Sequence, residues 1–263
     1  MTDVVFLPAA VKPISLAAAK EHLRVTTSDE DALIGSLIKA AAGHVETFCR
    51  RALVRQTRKL VLDCFPPVIE PQRSPLRSVS SIQYLDTAGD LQTLDASRYR
   101  VDTYSCPGRI TPAYGDSWPS TYMVPNAVIV TYVAGHLLPV IADHTADTLT
   151  SAGHGFANGD PTQIQTLGGT LPGALTADTD YYVVEKTADT VKLSLTSGGA
   201  AVDISSAGTA PNVIGYVPEE LIAALKLILA HFYEHREENA DFEIFEIPLG
   251  AERLMMPYRV TRF

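Results

Sequence analysis

Residues 29–50, DEDALIGSLIKAAAGHVETFCR, contain the pattern on which the fold prediction depends. Acidic residues at its start, after Ser28, would cap the helix and complement the positive end of its dipole. Apolar side chains then recur at helical spacing along one face. They are Leu33, Ile34, Leu37, Ile38, Ala41, Val45 and Phe48. The spacing predicts a helix through about Arg50 with one buried face.

Two more helices are predicted on either side of this one. Ser15 can cap a helix that runs to about Arg24. Near the other end, Pro218 followed by Glu219 and Glu220 opens a helix that runs to about Glu238. Because this last helix is apolar around most of its circumference, we expect it to pack against the N-terminal helix pair.

Between these helices the period changes to that of strands. Leu60, Leu62 and Cys64 alternate with more polar residues, which predicts a half-buried strand. A hairpin is predicted over residues 79–94, with a turn at residues 86–90. Further strands are predicted at residues 99–102 and 128–133, so this part is expected to be an antiparallel meander.

Residues 137–216 differ in composition from the rest of the chain. They contain eight acidic residues against Lys186 and Lys192, and so supply −6 of the net charge of −9. Strand-like runs at 163–166, 181–185 and 191–195 are separated by turn residues. The predicted fold is therefore α+β. A helical bundle body with a β meander occupies 1–136, an inserted small all-β domain 137–216, and the final helix with an extended C-terminal arm 217–263.

Bulk composition excludes several classes of protein. Hydrophobic residues at 46% and charged residues at 19% are ordinary for a globular chain of 263 residues. A net charge of −9 opposes tight binding to phosphate backbones. Cys49, Cys64 and Cys106 form no CxxC pair, which argues against a disulfide framework and a zinc knuckle. The N-terminus has no basic region typical of a secretory signal, and no apolar run approaches the roughly 20 residues of a bilayer span, so no membrane partner is expected.

One catalytic pattern is present. His231, Glu234 and His235 spell H-x-x-E-H on the predicted final helix, which resembles an inverted zinc-protease motif. The alternative is that these residues belong to the core side and the charged end of that helix, and we favour it because no third ligand is evident. The chain has no G-x-S-x-G elbow, phosphate loop or dinucleotide fingerprint. We therefore predict that the protein is not an enzyme and uses no cofactor or metal.

A basic cluster lies just after the central predicted helix. Its members are Arg50, Arg51, Arg55, Arg58 and Lys59. They could contact DNA or an acidic neighbouring subunit. We favour the alternative that they form a solvated helix end and the exposed face of the next strand.

The order of short motifs along the body resembles the head-tail connector (adaptor) family of long-tailed phages and gene transfer agents. The N-terminal matches are Pro13-Ile14-Ser15-Leu16-Ala17, Asp29-Glu30-Asp31, Leu33-Ile34, Arg51-Ala52-Leu53 and Gln56-Thr57. The later ones are Pro75-Leu76, Tyr99-Arg100-Val101-Asp102, Trp118-Pro119, Val130-Thr131-Tyr132, Ala134-Gly135, Val217-Pro218-Glu219 and Pro257-Tyr258-Arg259. In the family, the Ala-Gly pair runs almost directly into Val-Pro-Glu, so residues 137–216 are a departure. This extra part resembles small β domains of phage structural proteins at Gly153-His154-Gly155 and Asn158-Gly159-Asp160.

The resemblance implies a virion protein of the neck, assembled in the host cytoplasm. Roughly twelve copies would form a ring stacked on the portal protein, with a stopper or tail-terminator protein on the tail side. Genomic DNA would pass through the ring during packaging and ejection without sequence-specific binding. An alternative is a tail or capsid accessory protein whose β domain binds a host glycan or a neighbouring shell protein.

The resemblance also implies two sets of site residues. A C-terminal arm from about Asp241 would contact the portal through Phe242, Phe245, Pro248, Leu249, Leu254, Met255, Pro257, Tyr258, Arg259 and Phe263. Acidic residues of the helical wall would line the DNA path, and the candidates are Glu219, Glu220, Glu237 and Glu238.

Overall fold

The computed structural model describes residues 1–235 and 248–261. It contains a layer of helices, a five-stranded antiparallel sheet and a separate seven-stranded antiparallel sheet. Each of the three has its own hydrophobic core. The prediction of a mixed helix-and-sheet protein with antiparallel pairing is confirmed.

The two N-terminal helices lie where the sequence predicts them. Helix α1 covers Leu16–Leu23, and the Ser15 hydroxyl oxygen accepts a hydrogen bond from the Ala18 amide at 3.0 Å. Helix α2 covers Asp31–Cys49. Its N-cap is Glu30, whose side chain makes no capping bond, so the sequence located the start of α2 but not its cap.

Two helices from the end of the chain complete this layer. Helix α3 covers Glu219–Glu234 and has His235 as its C-cap, so it ends before the predicted Glu238; residues 236–238 lie outside the described residues. Helix α4 covers Leu249–Met255 and is followed by a 3-10 turn, Met256–Tyr258. Because these residues are helical, the prediction that residues 248–258 are extended is wrong. Helix α3 contacts α1, α2 and α4.

The five-stranded sheet forms the second layer of the body. Its strands are β1 (Thr2–Leu7), β2 (Gln56–Leu62), β3 (Leu76–Leu85), β4 (Leu91–Thr93) and β7 (Val128–Ala134). Their spatial order is β1-β2-β7-β3-β4. Strand β7 therefore separates β2 from β3, and the sheet is not the sequential meander that we predicted. Strand β1 was not predicted at all.

A short hairpin packs beside this sheet. It consists of β5 (Tyr99–Asp102) and β6 (Arg109–Pro112), after a 3-10 turn at Ala96–Arg98. Ile110 of β6 pairs with Ile69 through backbone hydrogen bonds of 2.8 and 2.9 Å, and both side chains are fully buried. The hairpin thus closes one side of the sheet core.

The strands between Leu138 and Ile214 form the seven-stranded sheet. They are β8 (Leu138–Asp143), β9 (Thr148–Thr150), β10 (Pro161–Thr162), β11 (Ile164–Thr166), β12 (Tyr181–Val184), β13 (Thr190–Ser194) and β14 (Asn212–Ile214). The order is β10-β12-β13-β9-β8-β14-β11. Because only Gln163 separates β10 from β11, the two outermost strands are neighbours along the chain, and the sheet curls into a barrel-like form.

Candidate assembly surfaces

The C-terminal segment 248–261 lies on its own body. Ala251 and Met255 are fully buried in the core that α2 and α3 share. The Val260 amide donates to the Cys49 carbonyl at 3.0 Å, and Arg51 Nε donates to the Tyr258 carbonyl at 2.7 Å. These contacts attach the segment to the end of α2. Burial there raises the pKa of the Cys49 thiol to about 11.

The predicted portal-contact residues fall into three groups. Met255 is buried, and Leu254 and Tyr258 pack partly against the helical core. Leu249 is 65% exposed and Met256 is 52% exposed. Pro257 and Arg259 are also exposed, and Pro248 is half-buried. Phe242, Phe245 and Phe263 lie outside the described residues. The part of segment 248–261 that is open to a partner is therefore smaller than the sequence implied.

Arg259 contacts its own subunit but also remains exposed to solvent. Its guanidinium lies 5.3 Å from the centre of the Phe48 ring on α2, yet the residue is exposed. A cation over an aromatic face adds a modest attraction in an exposed setting. Arg259 therefore rests on its own body while its charge remains accessible to an acidic partner.

Glu219 and Glu220 stand in the first turn of α3 and are exposed. The Glu220 carboxylate accepts a hydrogen bond from the Tyr258 hydroxyl at 2.8 Å. Bonds from its own backbone N–H and from Tyr258 lower the pKa of Glu220, so it stays charged. Glu237 and Glu238 lie outside the described residues. Two of the four predicted channel residues thus form a small acidic surface at the start of α3.

The basic cluster after α2 makes mostly internal contacts. Arg58 is 5% exposed and forms an ion pair with Asp3 of β1, with 2.8 Å between Nε and Oδ2. Arg55 donates to the Ala152 carbonyl at 2.8 Å, and the Lys59 ammonium lies 3.9 Å from the Phe6 ring centre. The interpretation as a solvated helix end and exposed strand face is therefore wrong for Arg58, which joins β1 to β2.

A polar junction fixes the seven-stranded sheet to the body. Arg77 of β3 donates to the carbonyls of Gly135 and His136 at 2.7 and 3.1 Å, and burial lowers its pKa to about 10. Its guanidinium also lies 5.1 Å from the Phe156 ring centre. Gly155 has φ +70°, and a Cβ there would stand 2.2 Å from the Arg77 carbonyl oxygen. The close approach at this point requires glycine.

An open cleft of about 480 Å³ lies at this junction. Ser78 and Val79 of β3 form one wall, and residues 152–156 and 186–189 form the other. The Ser78 hydroxyl donates to the Gly153 carbonyl at 3.0 Å across the cleft. The cleft is a consequence of how the two sheets are joined.

The H-x-x-E-H residues lie at the end of α3. The His231 and His235 rings are 4.6 Å apart between centroids, and His235 Nδ1 is 3.1 Å from the His231 carbonyl oxygen. No group of three or more metal-capable side chains occurs within residues 1–235 and 248–261. In the same ranges, no helix has the length and apolar character that crossing a membrane requires.

The N-terminal part of this chain matches a known protein family. Residues 13–98 match the family model described as Phage gp6-like head-tail connector protein. That range begins just before α1 and ends at Arg98, so it covers α1, α2 and β2 to β4. No curated protein sequence gives a significant match.

Solved structures similar to this chain come from gene transfer agent (GTA) particles. One is titled "Neck of empty GTA particle computed with C6 symmetry", with a TM-score of 0.58 and 18% identity. Others are titled "Neck of native GTA particle computed with C12 symmetry" (0.57, 16%) and "Virion of native gene transfer agent (GTA) particle" (0.56, 17%). Each match covers 100% of this chain and 97% of the other. At such identities the likeness shows a shared fold over the whole length, the seven-stranded sheet included.

The family match agrees with the resemblance that the order of short motifs indicated. Over residues 13–98 this chain matches the Phage gp6-like head-tail connector family, and the family resemblance noted in its sequence is confirmed.

Proposed function

We propose that this protein is a structural subunit of the neck of a tailed phage or of a related gene-transfer particle. The observation that carries the proposal is the coincidence of a connector-family match at residues 13–98 with a fold match over the entire chain to proteins of GTA particles. A connector performs its role by geometry, and we propose no catalytic activity for it.

The proposed assembly is a ring of identical copies between portal and tail. The similar solved structures include necks computed with C6 and C12 symmetry, which supports a cyclic arrangement of about twelve copies. In such a ring each copy offers two different surfaces, one to each neighbour. Genomic DNA would pass through the centre, and the net charge of −9 would limit its adhesion to the wall. Glu219 and Glu220 are our candidates for that wall.

The proposed portal contact is the exposed part of the C-terminal segment. Leu249 and Met256 are apolar residues that the body leaves more than half exposed, and Arg259 adds an accessible charge. Exposed apolar residues beside charged ones are typical of a binding surface. Phe242, Phe245 and Phe263 remain proposed contributors from outside the described residues.

Point substitutions test this contact better than truncation does. Removing residues 241–263 would also remove Ala251 and Met255 from the helical core, so loss of binding could reflect unfolding. The double variant Leu249→Asp, Met256→Asp changes only exposed side chains, which are 65% and 52% accessible. We expect it to keep the thermal stability of the unmodified protein and to lose co-purification with the cognate portal protein.

The matched control is Ile141→Asp, which places the same charge on an apolar residue of β8 that is 75% exposed. This variant should still co-purify with portal. Undiminished portal capture by the double variant would contradict the proposed role of this segment.

A further inference from the structure

Strand β1 presents an apolar, open edge of the five-stranded sheet. Within the described residues it pairs only with β2. Its residues Val4, Val5, Phe6 and Leu7 are 44%, 49%, 51% and 55% exposed. Soluble proteins usually protect such an edge with charges, prolines or a covering element, because unpaired backbone groups beside apolar side chains attract another strand. Here Pro8 comes only after the strand ends.

The edge is held in place before any partner arrives. Asp3 of β1 forms the buried ion pair with Arg58, and its Oδ1 accepts a hydrogen bond from the Tyr132 hydroxyl at 2.9 Å. The side chains of Asp3 and Arg58 are 3% and 7% exposed. A strand anchored in this way loses little conformational entropy when a partner pairs with it.

The opposite edge of the same sheet is formed by β4 and is also open within the described residues. Strand β4 pairs only with β3 among the described residues, and all three of its residues are exposed. Leu91 at its start is 61% exposed. The turn before it carries Asp86 and Asp90. Both edges of the sheet therefore carry exposed apolar residues.

We propose that β1 of one copy pairs with β4 of the next copy around the ring, so that the five-stranded sheet continues from subunit to subunit. This inference rests on the proposed ring. A second copy fits because one chain supplies both edges at opposite ends of one sheet, and a contact between unlike surfaces is what rotation closes into a ring. A contact between two β1 strands would instead join the same surface of both copies and would stop at a dimer.

The sheet topology fixes the direction of this pairing. All neighbours in the order β1-β2-β7-β3-β4 are antiparallel, so the first and fifth strands run the same way. A step around a twelvefold ring is a small rotation and preserves that direction. Strand β4 and the β1 of the next copy are therefore parallel, with evenly spaced, slanted hydrogen bonds.

The register also shows which side chains would share a face. Thr2 pairs with Val61, Val61 with Ile129, Ile129 with Gln83 and Gln83 with Thr93, so Thr2 and Thr93 lie on one face of the sheet. Val4, two residues after Thr2, lies on the same face. Cysteines at these positions would come together only across the proposed contact.

The test is disulfide cross-linking of full-length protein in a background with Cys64→Ser and Cys106→Ser. The double variants Thr2→Cys with Thr93→Cys and Val4→Cys with Thr93→Cys are oxidised alone and in the presence of portal protein. At least one pair should give a ladder of covalent multimers that collapses to monomer on reduction. The single variants should give no such ladder. A ladder is expected because each subunit would link to two neighbours.

Three outcomes would overturn the proposal. They are the absence of a ladder from both double variants in both conditions, dimers as the end product of a double variant, or efficient dimer formation by Val4→Cys alone. The ring contact and the portal contact can fail separately. Portal-bound protein without cross-links contradicts the strand contact, whereas a ladder without portal binding contradicts the proposed function.

A substitution at the same edge gives a second readout. Phe6→Asp replaces an exposed apolar side chain of the proposed contact with a charge that pairing would partly remove from water. We expect self-association to weaken by about tenfold or more, with thermal stability nearly unchanged. Ile141→Asp is again the control and should associate like the unmodified protein. Equal association of Phe6→Asp and the control would count against the proposal.

Discussion

Strand β1 and helix α4 are short apolar segments near opposite ends of the chain, and they meet the body in different ways. Helix α4 buries Ala251 and Met255 completely against α2 and α3. Strand β1 buries a charged group, Asp3, and leaves four consecutive apolar residues exposed. The apolar residues of α4 stabilise their own subunit, whereas those of β1 remain accessible to the neighbouring copy that we propose.

The largest effect is expected from removing the anchor of β1. Asp3→Ala leaves the Arg58 guanidinium buried without its carboxylate, which we expect to cost about 3–5 kcal/mol of unfolding free energy. Urea denaturation of the variant and of the unmodified protein measures this loss of unfolding free energy. Lys20→Ala breaks a more accessible pair with Asp31, in which the side chains are 18% and 35% exposed, and should cost about 1 kcal/mol or less. Similar costs for both variants would show that β1 is not held by this pair.

The second-largest loss of stability is expected from shortening Met255, whose buried side chain anchors α4. Met255→Ala removes a fully buried side chain from the helical core and should cost about 2–5 kcal/mol. Phe6→Ala removes a larger side chain that is half exposed, and should cost about 0.5 kcal/mol or little more in a subunit without neighbours. Urea denaturation of both variants gives the difference directly. If Phe6→Ala were the more costly change, β1 would serve its own subunit rather than a partner.

The smallest effect is expected at the hydrogen bond between Tyr258 and Glu220. Folding lowers the pKa of Glu220, so its contribution to stability is present above the ordinary value of 4.5 and is lost as pH falls through the folded pKa. Tyr258→Phe should lower the melting temperature slightly near neutral pH. That difference should vanish on acidification below the Glu220 pKa. A difference that persists at low pH would indicate lost packing instead.

Local patterns in the sequence were sufficient for much of the fold. The apolar spacing of residues 33–48 located α2, because the face that a helix buries is set by neighbours three and four residues apart. Ser15 marked the start of α1, and alternation placed β5 at the residues where it is observed. Each of these features depends on residues close together in the chain.

The sequence failed where distant residues decide the structure. The run Val4–Leu7 does not alternate and is followed by Pro8, so nothing local marked β1 as a strand. Its position depends on Asp3 meeting Arg58, which is 55 residues away. Helix α4 has only seven residues and contains Gly250, and its helical form depends on packing against α2 and α3. The place of β7 between β2 and β3 likewise cannot be inferred from alternation.

The predicted portal-contact residues show the same limit. The resemblance marked segment 248–259 as important, but it could not separate Met255, which faces the core, from Met256, which faces solvent. That distinction follows from the register of a helix that the sequence did not predict. Met255 therefore stabilises its own subunit, whereas Met256 is accessible to the proposed portal contact.

The point at which the seven-stranded sheet joins the body has a practical consequence. Its first and last strands in the chain, β8 and β14, pair directly with each other, with Leu138 opposite Ile214. The polypeptide thus departs after β7 and comes back before α3 across a gap of one strand spacing, about 5 Å. A short loop could bridge that gap without altering β7 or α3. The junction is therefore suited to replacing the seven-stranded sheet with a different folded domain.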